Sequence, residues 1–243
     1  VQILPDGDYE IGIHIADVSH YVRPGMALDR EAFNRGTSVY LVDRTIPMLP
    51  HALSNDLCSL KPNVDRFAMS TIIKMSPTAQ IKDVWYGKTV IHSAKRFTYE
   101  EAQEVLDTGN GPLHNELVIL NTLAKKLLAK REASGTLVLD TDEVKFELDK
   151  TGKPVRVFRK VRGDTHKLIE EFMLLANRKV AEVFKNEEKK GGIGVYRIHG
   201  LPDSDKIADF TYLVEKLGYT VPKGKMHPKL FTELLDQLAG APE

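Results

Sequence analysis

Cysteine is almost absent from this chain of 243 residues: Cys58 stands alone, which excludes an internal disulfide. Its LCSL surroundings read as a buried thiol and not as a nucleophile. A reducing, cytoplasmic setting fits that usage. No apolar run has the length of a membrane span, and no signal-peptide pattern opens the chain. Neither sign of charge is in excess, with 34 Lys and Arg against 34 Asp and Glu. That balance disfavours a uniformly basic nucleic-acid binder, while leaving room for a local basic groove offset elsewhere. The sequence has no CxxC, no phosphate-binding glycine loop and no Ser/His/Asp hydrolase motif. It also has no internal repeat and no Pro/Gly/Ser-rich break, so one domain is expected. At 42% hydrophobic and 28% charged, the composition is that of an ordinary globular protein with a sizeable core.

The elements follow from spacing. Pro5-Asp6-Gly7-Asp8 is turn chemistry, and Tyr9, Ile11, Ile13 and Ile15 then alternate along one face of a strand. This predicts a hairpin whose first strand is cut short at Val1, as in a piece of a longer protein. A short helix is expected over Leu28–Arg35, short strand and loop over Ser38–Pro50, and strands over Phe67–Met75 and Val84–His92. Thr98 and Glu101 form a T-x-x-E capping box that starts a helix to about Leu106. Further helices are expected over Asn115–Arg131, His166–Phe184 (Leu168, Phe172, Ala176, Val180 and Phe184 on one face), Asp205–Leu217, and from Pro228 with Leu230, Leu234 and Leu238 aligned. A second hairpin is predicted over Val144–Leu148 and Pro154–Val161, and a short strand over Val195–Ile198. Strands dominate early and helices late, so the fold class is α+β, with a mixed or antiparallel sheet packed with several helices.

His14-x-x-Asp17-x-x-His20 contains suitable metal ligands. In an extended strand, however, His14 and His20 share one face and Asp17 takes the other. Polar contacts at a strand end explain the three better than a metal site, unless the chain bends near Val18. Asp6-x-Asp8 reads as turn residues, and Asp140-x-Asp142-Glu143 as the charged entry to a strand. Arg156, Phe158, Lys160 and Arg162 fall on one strand face, a mix of cations and an aromatic that suits single-stranded nucleic acid or, equally, a charge-protected edge. Lys125, Lys126, Lys130 and Arg131 read as a solvated helix face. Tyr40 and Tyr99 lie outside the core stripes, where a tyrosine can stack on a base or rest half-buried.

The run Ile11–Pro62, with its RGTSVYL, IPMLP and LSNDLCSL segments, resembles the central part of the RNB catalytic domain of the ribonuclease II and ribonuclease R family. VDRFAMS, HSAKRFTYEEAQEVL, HKLIEEFMLLAN and GVYRIHGLP extend the likeness over nearly the whole chain, in the family's order. The resemblance implies residues 1–243 as the central part of one RNB catalytic domain, truncated at both ends, with a channel for single-stranded RNA. It implies processive 3′→5′ hydrolysis to nucleoside 5′-monophosphates with two divalent ions, normally Mg²⁺. Tyr40 matches a tyrosine that packs on the 3′-terminal nucleotides. Tyr99 matches an aromatic that sets substrate choice, and Glu170 a carboxylate that contacts the terminal ribose. No residue of the chain matches a catalytic or metal ligand. The family's D-x5-D-x-DDA cluster is expected upstream of Val1, and its S-P-I-R-R-Y arginine after Glu243. Leu139 stands where relatives often place a stacking aromatic. The resemblance implies an active parent enzyme and an inactive isolated fragment, with no membrane and no obligate protein partner. A non-catalytic RNA-binding or regulatory module on the same fold is the alternative. A metal-dependent small-molecule hydrolase using His14, Asp17 and His20 is a third.

Overall fold

The computed structural model describes residues 1–136, 144–159, 161–198, 200, 203–221, 231, 233, 234 and 237. They form two compact units: Val1–Lys126 with Asp142–Lys179, and Leu127–Thr141 with Val180–Glu243. The class is α+β.

In the first unit, β1 (Gln2–Ile3), β2 (Tyr9–Ala16), β5 (Asp65–Met75) and β6 (Ile81–His92) build an antiparallel sheet in that order. The PDGD segment turns β1 into β2, with Gly7 at φ +80 and its N–H donating to Leu4 O at 3.0 Å. Asp6 and Asp8 also anchor lysines of the neighbouring strands: Lys74 lies 2.6 Å from Asp6, and Lys82 lies 2.8 Å from Asp8. The alternation predicted for β2 places Ile11 and Ile13 in the core beside Ile73 and Thr71 of β5. Ile15 lies on the same side but is half exposed.

On the opposite side of the sheet, the His14 ring lies over Gly12, where a Cβ would come within 2.3 Å of it. His14 Nδ1 meets Ser70 Oγ at 2.6 Å, and Ser70 meets Thr89 Oγ1 at 2.6 Å. These bonds satisfy three polar side chains across three strands. Burial holds the imidazole below its ordinary pKa.

The chain does bend after β2. Asp17 caps α1 (Val18–Tyr21), accepting from His20 N at 3.2 Å and Ser19 Oγ at 2.5 Å. The bend does not gather His14, Asp17 and His20: His14 serves Ser70, and His20 stacks on Phe67 at 4.2 Å. α2 (Ala27–Arg35) follows, then a small hairpin of β3 (Val39–Tyr40) and β4 (Thr45–Ile46). The LSNDLCSL motif forms a π-helical turn, Ala52–Leu57, which periodicity does not predict. Cys58 N donates to Leu53 O at 2.9 Å, the five-residue step of that geometry, and Leu53 is buried.

α3 (Tyr99–Thr108) begins at the predicted capping box: Glu101 N donates to Thr98 Oγ1 at 3.1 Å, and Thr98 N to Glu101 Oε2 at 2.8 Å. Gly109, in the left-handed region, ends it. α4 (His114–Ala133) buries Leu123 and Ala124. The second predicted hairpin is present as β7 (Val144–Leu148) and β8 (Pro154–Arg159), turned at Asp149, whose carboxylate accepts from Thr151 and Lys153 N–H groups. α5 (Asp164–Glu188) buries Leu168, Phe172 and Ala176 as expected. Beyond them, Val180 and Phe184 are exposed, so the stripe reads as core for only part of its length.

In the second unit, Asp203 caps α6 (Ser204–Lys216), and Val214 packs with Val221 and Leu234. Gly218, at φ +89, follows the helix as predicted. The short strand expected over Val195–Ile198 does not form. Val195 and Ile198 are 97% and 86% exposed, and β-branched propensity without a pairing edge does not make a strand. Of the helix predicted from Pro228, only Leu234 among its aligned leucines is described. Pro228, Leu230 and Leu238 lie outside the described residues, as do Leu139, Asp140, Asp142, Glu143 and Lys160.

Candidate nucleic-acid interface

The densest meeting of candidate side chains lies where the start of α5 docks on the start of α3. Gly163 lies close against α3, where a Cβ would fall 2.6 Å from Oε1 at the tip of the Gln103 side chain. Thr165 N then donates to Gln103 Oε1 at 3.3 Å, and Thr165 Oγ1 to Tyr99 O at 3.0 Å. The His166 ring lies flat on Tyr99, with centroids 4.0 Å apart and planes 14° off parallel. Tyr99 remains 43% exposed. One helical turn after His166, Glu170 is partly exposed and receives a hydrogen bond from Arg162 Nη2. Glu171, its neighbour, faces the core and is buried.

Two cavities border Tyr99. One, of about 490 Å³, is lined by Gln103, Val161 and His166. The other, of about 630 Å³, has an apolar wall of Phe97, Leu168 and Ile169, with Arg96 and Lys145 contributing cations. The cavities offer a held ring, nearby cations and concave apolar surface, while Glu170, which lines neither of them, offers a carboxylate acceptor one turn after His166. These are the parts needed to stack a base and hydrogen-bond a sugar hydroxyl.

The other candidates are placed elsewhere. Tyr40 sits on β3, 80% exposed, and lines neither of the cavities beside Tyr99. β8 ends at Arg159, so Arg156 and Phe158 share a strand face while Arg162 lies in the following loop, drawn to Glu170. The Arg156 guanidinium is 5.7 Å from the Phe158 ring centroid. Lys125 is more committed than a solvated helix face implies. Its ammonium is 2.5 Å from Asp164 and holds that carboxyl below the usual range. Lys126 donates to Pro77 O at 2.7 Å.

The RNB domain profile matches residues 1–242. The chain belongs to the RNB domain family. Ribonuclease R of Thermotoga maritima is 40% identical over 249 residues, covering 100% of this RNB chain and 35% of that protein. The solved Mycoplasma genitalium RNase R in complex with ribose methylated single-stranded RNA superposes with a TM-score of 0.90 at 28% identity, covering 99% of this chain and 38% of that one. Yeast Ssd1, a pseudonuclease, has the same fold at a TM-score of 0.72 and 23% identity, over 95% of this chain and 30% of its own. This RNB chain thus spans about a third of the length of the relatives it matches.

Among the described residues of the RNB chain, no three His, Cys, Asp or Glu side chains gather to hold a metal ion. Four of the aspartates are engaged elsewhere: Asp17 in a helix cap, Asp6 and Asp8 with lysines, Asp164 with Lys125. These four do not fit a two-ion centre. No helix among the described residues is long and apolar enough to cross a membrane. His166 and Arg162 touch the two candidate residues, His166 stacking on Tyr99 and Arg162 pairing with Glu170. His166 stands four residues before Glu170, a visible spacing, but its partner ring is on another helix, beyond the reach of sequence periodicity.

Proposed function

We propose that the chain is the central part of one RNB catalytic domain, in an enzyme that degrades single-stranded RNA processively from its 3′ end to nucleoside 5′-monophosphates. Membership of the RNB family over residues 1–242 is the observation that carries this reading. Tyr99 and Glu170 would read the 3′-terminal nucleotides. The ring stacks on a base or sugar, and the carboxylate accepts from the ribose 2′-hydroxyl, a contact that separates RNA from DNA. Tyr40, exposed on its hairpin, would pack on a terminal nucleotide. The divalent ions, Mg²⁺ in this reading, would activate water and stabilise the leaving oxygen, and their ligands lie outside the residues described. The setting is cytoplasmic.

The test uses 5′-labelled single-stranded RNA. The full-length protein with Mg²⁺ shortens it stepwise from the 3′ end and releases nucleoside 5′-monophosphates, and EDTA stops the reaction. The 243-residue chain alone binds without shortening. A full-length protein that binds RNA but never shortens it would favour a non-catalytic RNA-binding module on the same fold. Shortening by the isolated chain that survives repurification would overturn the assignment of the ions to residues outside it.

A further inference from the structure

We propose that His166 is a positioning residue that fixes the plane of the Tyr99 ring relative to the Glu170 carboxylate, and thereby sets the preference for a ribose over a deoxyribose end. The inference rests on the reading of Tyr99 and Glu170 as the pair that meets the terminal nucleotide. Its own basis is the joint between α3 and α5. The first turn of α5 holds Tyr99 twice, by the Thr165 hydroxyl on its carbonyl at 3.0 Å and by the His166 ring on its side chain at 4.0 Å and 14°. Glu170 follows His166 by one helical turn, so the ring support and the carboxylate sit on neighbouring positions of one rigid helix. Tyr99, with only its Cα–Cβ and Cβ–Cγ bonds to rotate, has its second torsion constrained by the stacked imidazole. Without that plane the phenol is free to swing, and a distance that discriminates a 2′-hydroxyl from hydrogen is no longer enforced.

The supporting ring needs flatness more than a charge or a hydrogen bond. His166→Phe keeps a planar partner, whereas His166→Leu keeps apolar bulk without a plane. His166→Gln removes the ring while keeping polarity, and carries the comparison if the leucine variant does not fold. Fluorescence anisotropy on the full-length protein, with EDTA present to stop turnover, compares a fluorescein-labelled ribo-oligomer with the same oligomer ending in 2′-deoxynucleotides. Wild type and His166→Phe are expected to share one ribo-over-deoxy ratio. His166→Leu and His166→Gln are expected to lose about twofold to tenfold of it, the range that an aromatic pair spans. Tyr99→Ala sets the floor. In the NMR spectrum of the 243-residue chain, the Tyr99 ring protons lose their upfield ring-current shift in the leucine and glutamine variants and keep it in the phenylalanine variant. If Tyr99→Ala lowers the ratio while the leucine and glutamine variants match wild type, the role of His166 is wrong and the reading of Tyr99 stands. If Tyr99→Ala leaves the ratio unchanged, both fall.

Discussion

Replacing Asp17 by Ala should destabilise the sheet unit more than an average surface change. Asp17 is 3% exposed and closes β2 with three donors: Ser19 Oγ at 2.5 Å, His20 N at 3.2 Å and Lys88 Nζ at 3.1 Å. Loss of a helix N-cap costs about 0.5–2 kcal/mol, and the donors of Ser19 and His20, both exposed residues, can turn to water and add little. Lys88 is exposed enough to find water, so its share is small. The loss expected for Asp17→Ala is therefore about 1–2 kcal/mol, and for Asp17→Asn less than about 1 kcal/mol, because the amide oxygen can still cap. Trp85 on β6 is the one tryptophan of the chain, so its fluorescence in urea reports this sheet specifically.

The pH dependence has a definite sign. The Ser19 hydrogen bond, followed by Lys88, holds the Asp17 carboxyl below its ordinary pKa. Its contribution is therefore complete above the unfolded-state value of about 3.9 and fades as pH falls through the lower folded value. The gap between wild type and Asp17→Ala should be constant from pH 7 to pH 5 and narrow in stronger acid. An Asp17→Ala midpoint within about 0.5 kcal/mol of wild type at pH 7 would refute the reasoning, since changes of that size are typical of neutral surface sites.

Thr98→Ala removes half of the capping box on α3 and should cost about 1 kcal/mol, read as a lower urea midpoint at unchanged slope. Gly12→Ala drives a methyl into the His14 ring, which is tied to Ser70, and should cost about 1–3 kcal/mol. Gly87→Ala meets the Trp85 ring at 2.4 Å, but Trp85 is half exposed and can swing out, so a shifted emission maximum with a smaller stability loss is expected. Arg162→Ala should change stability by less than about 1 kcal/mol, because both members of its pair with Glu170 are partly exposed. Its effect should appear in the affinity for ribose-ended oligomers.

The elements that spacing makes legible are those whose partners lie close in sequence. The capping box at Thr98 and Glu101, the turn at Gly7, the Asp149–Lys153 turn and the helix stop at Gly218 all rest on contacts within a few residues. The cores of α4 and α5 are legible because burial repeats with the helical period. Val195–Ile198 misleads for the opposite reason: its propensity is local, while a strand needs a remote edge. The π-helical turn at Ala52–Leu57 has no periodic signal at all. At the candidate site, Tyr99 is marked by its place outside the core stripes, Glu170 is reached only through resemblance, and the ring that supports Tyr99 comes from a helix far along the chain.

α5 explains why core and site share one element. Each residue turns the helix by about 100°, so His166 and Glu170, four apart, lie about 40° from each other around the axis. Leu168, midway between them, lies about 160° from both. Burying Leu168, Phe172 and Ala176 therefore turns His166 and Glu170 away from that core stripe. Thr165, which is buried, fixes the remaining freedom by bonding to the Tyr99 carbonyl. The apolar stripe thus does two jobs at once. It stabilises the unit, and it sets the direction in which the ring support and the carboxylate face. Substitutions within that stripe that preserve volume should leave the Tyr99 stack intact, whereas a change in helical phase would separate it from Glu170.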